Sequence, residues 1–216
     1  IKLDNFDLVV VPEHDNLDGR NVLKTKGAIH YLTSDEIEKE KEYLFSISSK
    51  LKDKNIISLI IGGPTQYYDY SDRNIQEIFS KVNFLVKENN LSLVVIPSMR
   101  TPKETIEHAK IYFGNDYLVL DGVDKKAYLS ALSISKYIVI TCDSSSMISE
   151  AALSGKPIYV ANIPPKKNDN RFKKFKKLFT DLKIIRNLGD NLENWSYERL
   201  DETSRVSKII RNKINI

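Results

Sequence analysis

Between residues 56 and 186, short apolar runs alternate with stretches of helical periodicity, and this alternation leaves few folds open. The runs lie at 56–61, 91–96, 117–120, 137–141 and 158–160, with a weaker one at 183–186. They are apolar throughout rather than at every second position, as in strands buried on both faces. Between the first two, Ile75, Ile78, Phe79, Val82, Leu85 and Val86 recur at a 3.6-residue period and predict a helix over 72–88. Further helices are predicted after Thr101 and over 124–135, 144–153 and 170–182. Thr101 as cap, Pro102 at the first helical position and Glu104 three residues beyond the cap make a capping box. Strand–helix alternation of this kind predicts an α/β protein: a Rossmann-like, doubly wound parallel sheet with right-handed crossovers.

The flanks are less regular. Residues 6–12 read as a strand ended by Pro12, with short strands around Val22-Leu23 and at 28–31. Ser34 is placed to cap one helix over 35–52 that links two domains, and an amphipathic helix over 201–212 closes the chain. The expected division is 1–33, a linker helix over 34–55, a nucleotide-binding domain over 56–190 and a helical extension over 191–216. The chain starts at Ile1, which suggests a fragment or a processed chain. Its apolar runs are strand-sized, and no signal peptide is expected. One cysteine, Cys142, excludes a disulfide framework and a cysteine metal cluster, and suits a reducing cytosol. No spacing suggests a metal site. The net charge of +4 is too small to argue for nucleic acid.

The segment that carries chemistry is 141–157, Thr-Cys-Asp-Ser-Ser-Ser-Met-Ile-Ser-Glu-Ala-Ala-Leu-Ser-Gly-Lys-Pro. It reads as strand end, serine-rich loop, short helix and a Gly155 stop. Free amides and the helix dipole suit an anion there. Ser144, Ser145 and Ser146 are candidate phosphate ligands, with helix capping as the plainer role for at least one. Ligands of open doubly wound sheets bind where the strand order reverses. With the usual order that crevice lies between the first and fourth strands, beside Gly62-Gly63 and Ser144–Ser146. Gly62 and Gly63 would admit a phosphate close to the backbone, or simply form a tight turn. Neither a GxGxxG fingerprint nor a Walker loop is present, which disfavours a dehydrogenase or an ATPase. Glu150, on the helix, suits two ribose hydroxyls, and Ser98 with Arg100, after the second strand, suits a phosphate. His14, beside Asp15, is the best acid–base candidate, against a structural histidine in a loop. His30 and His108 show no special context. The lysines of 166–177 read as the solvated face of a helix whose buried stripe is Phe172, Phe175 and Phe179; Arg171 and Lys173 are its only candidates for a diphosphate.

Together these segments resemble the mitochondrial-fission ELM (elongated mitochondria) family, in its bacterial form. The resemblance rests on Val11-Pro12-Glu13-His14-Asp15, Asn21-Val22-Leu23, Gly27-Ala28-Ile29-His30, Ile61-Gly62-Gly63-Pro64, Pro97-Ser98-Met99-Arg100-Thr101-Pro102, the 143–151 run with Gly155-Lys156-Pro157, and Trp195-Ser196-Tyr197. It implies the C-terminal half of a GT-B-type protein, two Rossmann-like domains facing a cleft. Residues 1–33 would be the tail of a mostly missing first domain, toward which the last helix packs. It implies glycosyltransferase-like binding of a nucleotide-diphosphate sugar as substrate, with no separate cofactor. Glu150 would hold the ribose and the serine loop the diphosphate. An interaction or recruitment protein on the same scaffold, or a nucleotide-sugar epimerase, are the alternatives. The expected partners are the nucleotide sugar and the missing domain, without nucleic acid or integral membrane contact. The expected location is the bacterial cytoplasm, with room for peripheral membrane association.

Overall fold

A computed structural model describes residues 2–214. Its main sheet has six parallel strands: β3 (Ile56–Ile61), β4 (Ser92–Pro97), β5 (Leu118–Val119), β6 (Tyr137–Thr141), β7 (Ile158–Ala161) and β8 (Ile185–Asn187). Their order is β5-β4-β3-β6-β7-β8, so the direction of winding reverses between β3 and β6, as expected. All six residues of β3 are buried. The one polar member, Ser58, donates to Ser135 Oγ at 2.6 Å, and Ser135 passes its own proton to the Ala131 carbonyl.

The crossovers are α3 (Asp72–Glu88), α4 (Lys103–Phe113), α5 (Lys125–Ile134), α6 (Ser145–Ala152) and α7 (Asn170–Asp181). α3 buries the six apolar residues that predicted it. Asp124 caps α5 through the Ala127 amide, and Ser144 caps α6 through that of Met147. Gly155 takes a φ of +72° just beyond α6, the left-handed position that glycine fills without strain.

Three local expectations fail here. The helix expected over 35–52 is broken into α1 (Ser34–Lys39), α2 (Tyr43–Ile47) and a 3₁₀ turn at Ser49–Leu51. Ser130 of α5 inserts at the break, donating to the Lys41 carbonyl and accepting from the Leu44 amide. Thr33, rather than Ser34, forms the capping box with Glu36. Nor does Thr101 cap α4. Its hydroxyl lies 2.7 Å from the carbonyls of both Ile61 and Gly62 and accepts from the Ser98 amide, tying the end of β3 to the loop after β4.

A second, two-stranded parallel sheet pairs β1 (Val9–Pro12) with β2 (Val22–Thr25). The final helix, α8 (Glu202–Ile214), packs against it. Glu202 accepts from the Lys26 amide, Arg205 donates to the Lys24 carbonyl, and Thr203 bonds both the amide and the carbonyl of His30. Residues 28–31, expected as a strand, form instead an irregular strap across α6, where the Ala28 amide donates to Ser149 Oγ at 3.0 Å.

Close approach, rather than an unusual φ, explains Gly63: a Cβ there would overlap the Arg100 carbonyl. Gly63→Ala is therefore expected to cost about 2 kcal/mol, the usual scale for overpacking. Equilibrium denaturation will show the loss.

Candidate functional site

The loops after β3, β4 and β6 meet over the switch point, and a buried carboxylate joins them. The Asp143 side chain is fully buried. One oxygen accepts from Arg100 Nη2 at 2.7 Å and from the Gly63 amide at 3.2 Å. The other accepts from the hydroxyls of Tyr70 and Thr141. Thr141 Oγ1 also takes the Gly62 amide, at 2.8 Å. The amides of both glycines are thus satisfied within the protein, and Arg100 is committed to neutralising Asp143. Burial and the Asp143 charge push the Tyr70 phenol far above its ordinary range, so it stays a donor.

What the loop leaves free is the start of α6. Ser144 Oγ is occupied as the cap. The amides and hydroxyls of Ser145 and Ser146 donate no hydrogen bond among the described residues, and Ser146 is exposed. Two cavities flank this point. One, of about 280 Å³, is lined by Ser144, Ser98, Arg100, Lys125, Tyr128 and Glu150. The other, of about 320 Å³, is lined by Ser145, Asp143, His14, Asp169, Arg171 and Tyr68.

In the first cavity Glu150 accepts from the Tyr128 hydroxyl at 2.8 Å through one oxygen, while the other has no protein partner. Burial raises the Glu150 carboxyl above its ordinary value; the Tyr128 hydrogen bond and the nearby His30 act against this. Tyr31 brings its ring to the same cavity with Lys125 Nζ 4.7 Å above it.

In the second cavity His14 is buried, edge-on to Phe175, with Nδ1 unpartnered. Asp15 approaches its Nε2 only to 3.8 Å, beyond hydrogen-bond distance, and both Asp15 oxygens are bound by Arg171. Burial lowers the His14 pKa; Asp15 raises it, and Arg171 reinforces the lowering. The imidazole is therefore held neutral and able to take a proton. Asp169 accepts from the Tyr68 hydroxyl at 2.8 Å and faces Lys173 at 3.1 Å, and these contacts outweigh burial to keep its pKa low. Cys142 is buried, its thiol pushed up to about 11, which unfits it as a nucleophile. No group of His, Cys, Asp and Glu among the described residues could hold a metal ion.

Sequence reasoning found His14, Ser98, Arg100, the serines and Glu150, all of which line one or other cavity or the helix start between them. It missed Tyr128, Tyr31, Tyr68, Tyr70 and Asp169, and the stitching role of Asp143. The tyrosines sit in ordinary helix or loop contexts, and only tertiary packing turns them inward. Asp143 carried a signal: a carboxylate two residues past a buried strand.

Among solved structures, the chain resembles a Listeria monocytogenes protein assigned as a candidate UDP-N-acetylglucosamine 2-epimerase. That match has a TM-score of 0.54 at 16% identity and covers 92% of this chain and 47% of that one. It also resembles the UDP-GlcNAc 2-epimerase of Neisseria meningitidis, solved bound to UDP-GlcNAc: TM-score 0.52, 14% identity, 93% of this chain and 56% of that one. At such identities the likeness establishes fold. The domain is a Rossmann-like unit of the GT-B type.

The sequence profile of mitochondrial fission ELM1 matches residues 1–214, and the chain belongs to that family. It is 28% identical to the uncharacterized protein RP120 of Rickettsia prowazekii over 94% of this chain and 58% of the relative. It is 26% identical to the mitochondrial fission protein ELM1 of Arabidopsis thaliana over 98% of this chain and 55% of the relative. The chain thus spans just over half the length of these relatives.

Two outcomes follow from the geometry. Asp143→Ala removes the carboxylate that pairs with the Arg100 guanidinium and one of the two acceptors near the Tyr70 hydroxyl, so a loss of about 3 kcal/mol in urea unfolding is expected. The second concerns pH. A histidine with a lowered folded pKa is protonated more readily in the unfolded chain. His14 therefore withdraws stability as pH falls through 6.5 towards its folded value, and its contribution is complete above 6.5. Comparing wild type with His14→Gln by denaturation at pH 7.5 and pH 5 should show a shallower acid loss in the variant.

Proposed function

We propose that this domain binds a nucleoside diphosphate sugar across the start of α6, in the manner of a GT-B glycosyltransferase-like protein. The diphosphate lies on the Ser145 and Ser146 amides and hydroxyls. The nucleoside enters the Glu150 cavity and the sugar the His14 cavity. The observation that carries this reading is the pair of cavities, both lined from the same helix start whose donors are unspent. The free oxygen of Glu150 accepts from a ribose hydroxyl, and its raised pKa fits a carboxylate enclosed beside a sugar. Lys125 sets positive charge on the nucleoside side, while Arg100 cancels the Asp143 charge beside it. If the sugar is transferred, the bond from its anomeric carbon to the diphosphate breaks, and the electron pair leaves on the phosphate oxygen. The α6 amides stabilise that oxygen. The attacking hydroxyl loses its proton to neutral His14.

The Arabidopsis relative is named for mitochondrial fission rather than for a reaction, and a second reading is a binding scaffold on the same fold. A partner retained by the Ser145→Ala/Glu150→Ala double variant would support it.

Calorimetric titration of UDP, ADP, GDP and CDP against the protein tests the main reading. At least one should bind, and Glu150→Ala should weaken it by roughly tenfold or more, the loss expected for a hydrogen bond to a charged group. Affinity should also fall with acidification at a pH above the ordinary glutamate value of 4.5, since protonated Glu150 accepts less well. Absence of binding by all four, or indifference to Glu150→Ala, sinks the proposal.

A further inference from the structure

The charge of this chain is concentrated in one place. Residues 166–183 hold Lys166, Lys167, Arg171, Lys173, Lys174, Lys176, Lys177 and Lys183 against only Asp169 and Asp181, a local charge of +6. The whole chain carries +4, so everything else sums to −2. All of these cations except Lys176 are exposed. Three meet carboxylates: Arg171 on Asp15, Lys173 on Asp169 and Lys177 on Asp181. Lys167 and Lys176 rest on the neutral side-chain carbonyls of Gln66 and Asn162. Lys166, Lys174 and Lys183 have no carboxylate partner among the described residues. The helix beneath is held rigidly, since Phe175 and Phe179 are fully buried and Phe172 stacks beside them.

We infer that this basic face of α7 and its flanking loops docks the protein on an anionic lipid bilayer. The pattern favours lipid over nucleic acid on two counts. Nucleic-acid binders without sequence preference add aromatic stacking, and here the rings of α7 face the core. Base readers rely on free arginine forks, and the single arginine is bound by Asp15. A dense array of lysines with no exposed apolar side acts as a field at a charged surface, adding a similar increment for each cation. The buried phenylalanines leave nothing to insert, so attachment is electrostatic and reversible. The His14 cavity is lined by Arg171 and Phe172 of the first turn of the same helix.

Co-sedimentation of the full chain with vesicles tests this independently of nucleotide binding. The protein should pellet with phosphatidylcholine vesicles containing about one-third phosphatidylglycerol, release as salt rises, and ignore pure phosphatidylcholine. Lys166→Glu/Lys174→Glu/Lys183→Glu should weaken vesicle binding about a hundredfold. The matching triple Lys→Arg variant should bind as wild type does, and both should keep an unchanged melting temperature. If the glutamate variant melts early, the triple Lys→Gln variant is read in its place. Equal binding to neutral vesicles, no binding to anionic ones, or indifference to charge removal overturns the inference. So does tighter binding to duplex DNA than to the anionic vesicles at the same salt.

Discussion

Everything at the switch point hangs on a carboxylate that is fully out of water. A buried charge is tolerated only when its lone pairs are filled and its field is neutralised. Asp143 meets both conditions by drawing on two loops and a strand end: Gly63 and Tyr70 of the loop after β3, Arg100 of the loop after β4, and Thr141, the last residue of β6. Neither loop belongs to regular structure, and each would otherwise have a choice of paths. The need to satisfy one anion removes that choice. It also explains the glycine pair, since a Cβ at Gly62 would overlap the carboxylate itself. A carboxylate at the start of α6 also repels a second anion, and Arg100 answers that repulsion. Its guanidinium remains partly exposed in the Glu150 cavity while cancelling Asp143.

The two cavities differ in the chemistry they hold ready. On one side the carboxyl of Glu150 is pushed up and paired with a tyrosine, an arrangement suited to recognising hydroxyls. On the other an imidazole is kept neutral by burial, with a nitrogen left bare. Groups whose environments drive their pKa values away from solution values tend to mark working sites. Here both shifts have the same first cause, desolvation, yet act on groups of opposite charge type. Glutamate is made easier to protonate and histidine harder. Near neutrality one side therefore remains an acceptor of hydrogen bonds and the other an acceptor of a proton.

The sheet was legible in the sequence because its strands are continuous apolar runs and its long helices are strictly periodic; α3 begins and ends where its period does. The reversal between β3 and β6 needed only the usual order of such folds. Legibility stopped where a side chain from a distant element decided the outcome. The break after Lys39 depends on Ser130, roughly ninety residues away, which no local propensity reports. Thr101 shows the same limit: its capping signal is genuine, but two nearby carbonyls compete for the hydroxyl and win. Within the site, the serines and Glu150 were visible because α6 is short and their spacing is local. Gly62 and Gly63 read equally as room for a phosphate or as a tight turn; the space beside them is filled by the Asp143 carboxylate and the Arg100 backbone. Tyr128 and Asp169 were invisible because their partners lie 22 and 101 residues away.

The irregular first segment turns out to bear on both cavities. β1 runs into a 3₁₀ turn whose His14 reaches one cavity, and the strap after β2 ends at Tyr31, which reaches the other. A two-stranded parallel sheet is too small to hold such positions alone. Its support comes from the far end of the chain, where Glu202, Thr203 and Arg205 of α8 bind the backbone of Lys24, Lys26 and His30. Glu202 is itself buried, and its charge is answered by Arg205. The same device recurs, then, at both places where chain segments must be held without secondary structure: a buried carboxylate, an arginine across it, and backbone groups recruited to complete the shell. At Asp143 it fixes the loops around the helix start. At Glu202 it fixes the segment after β2 that carries Tyr31 to the Glu150 cavity.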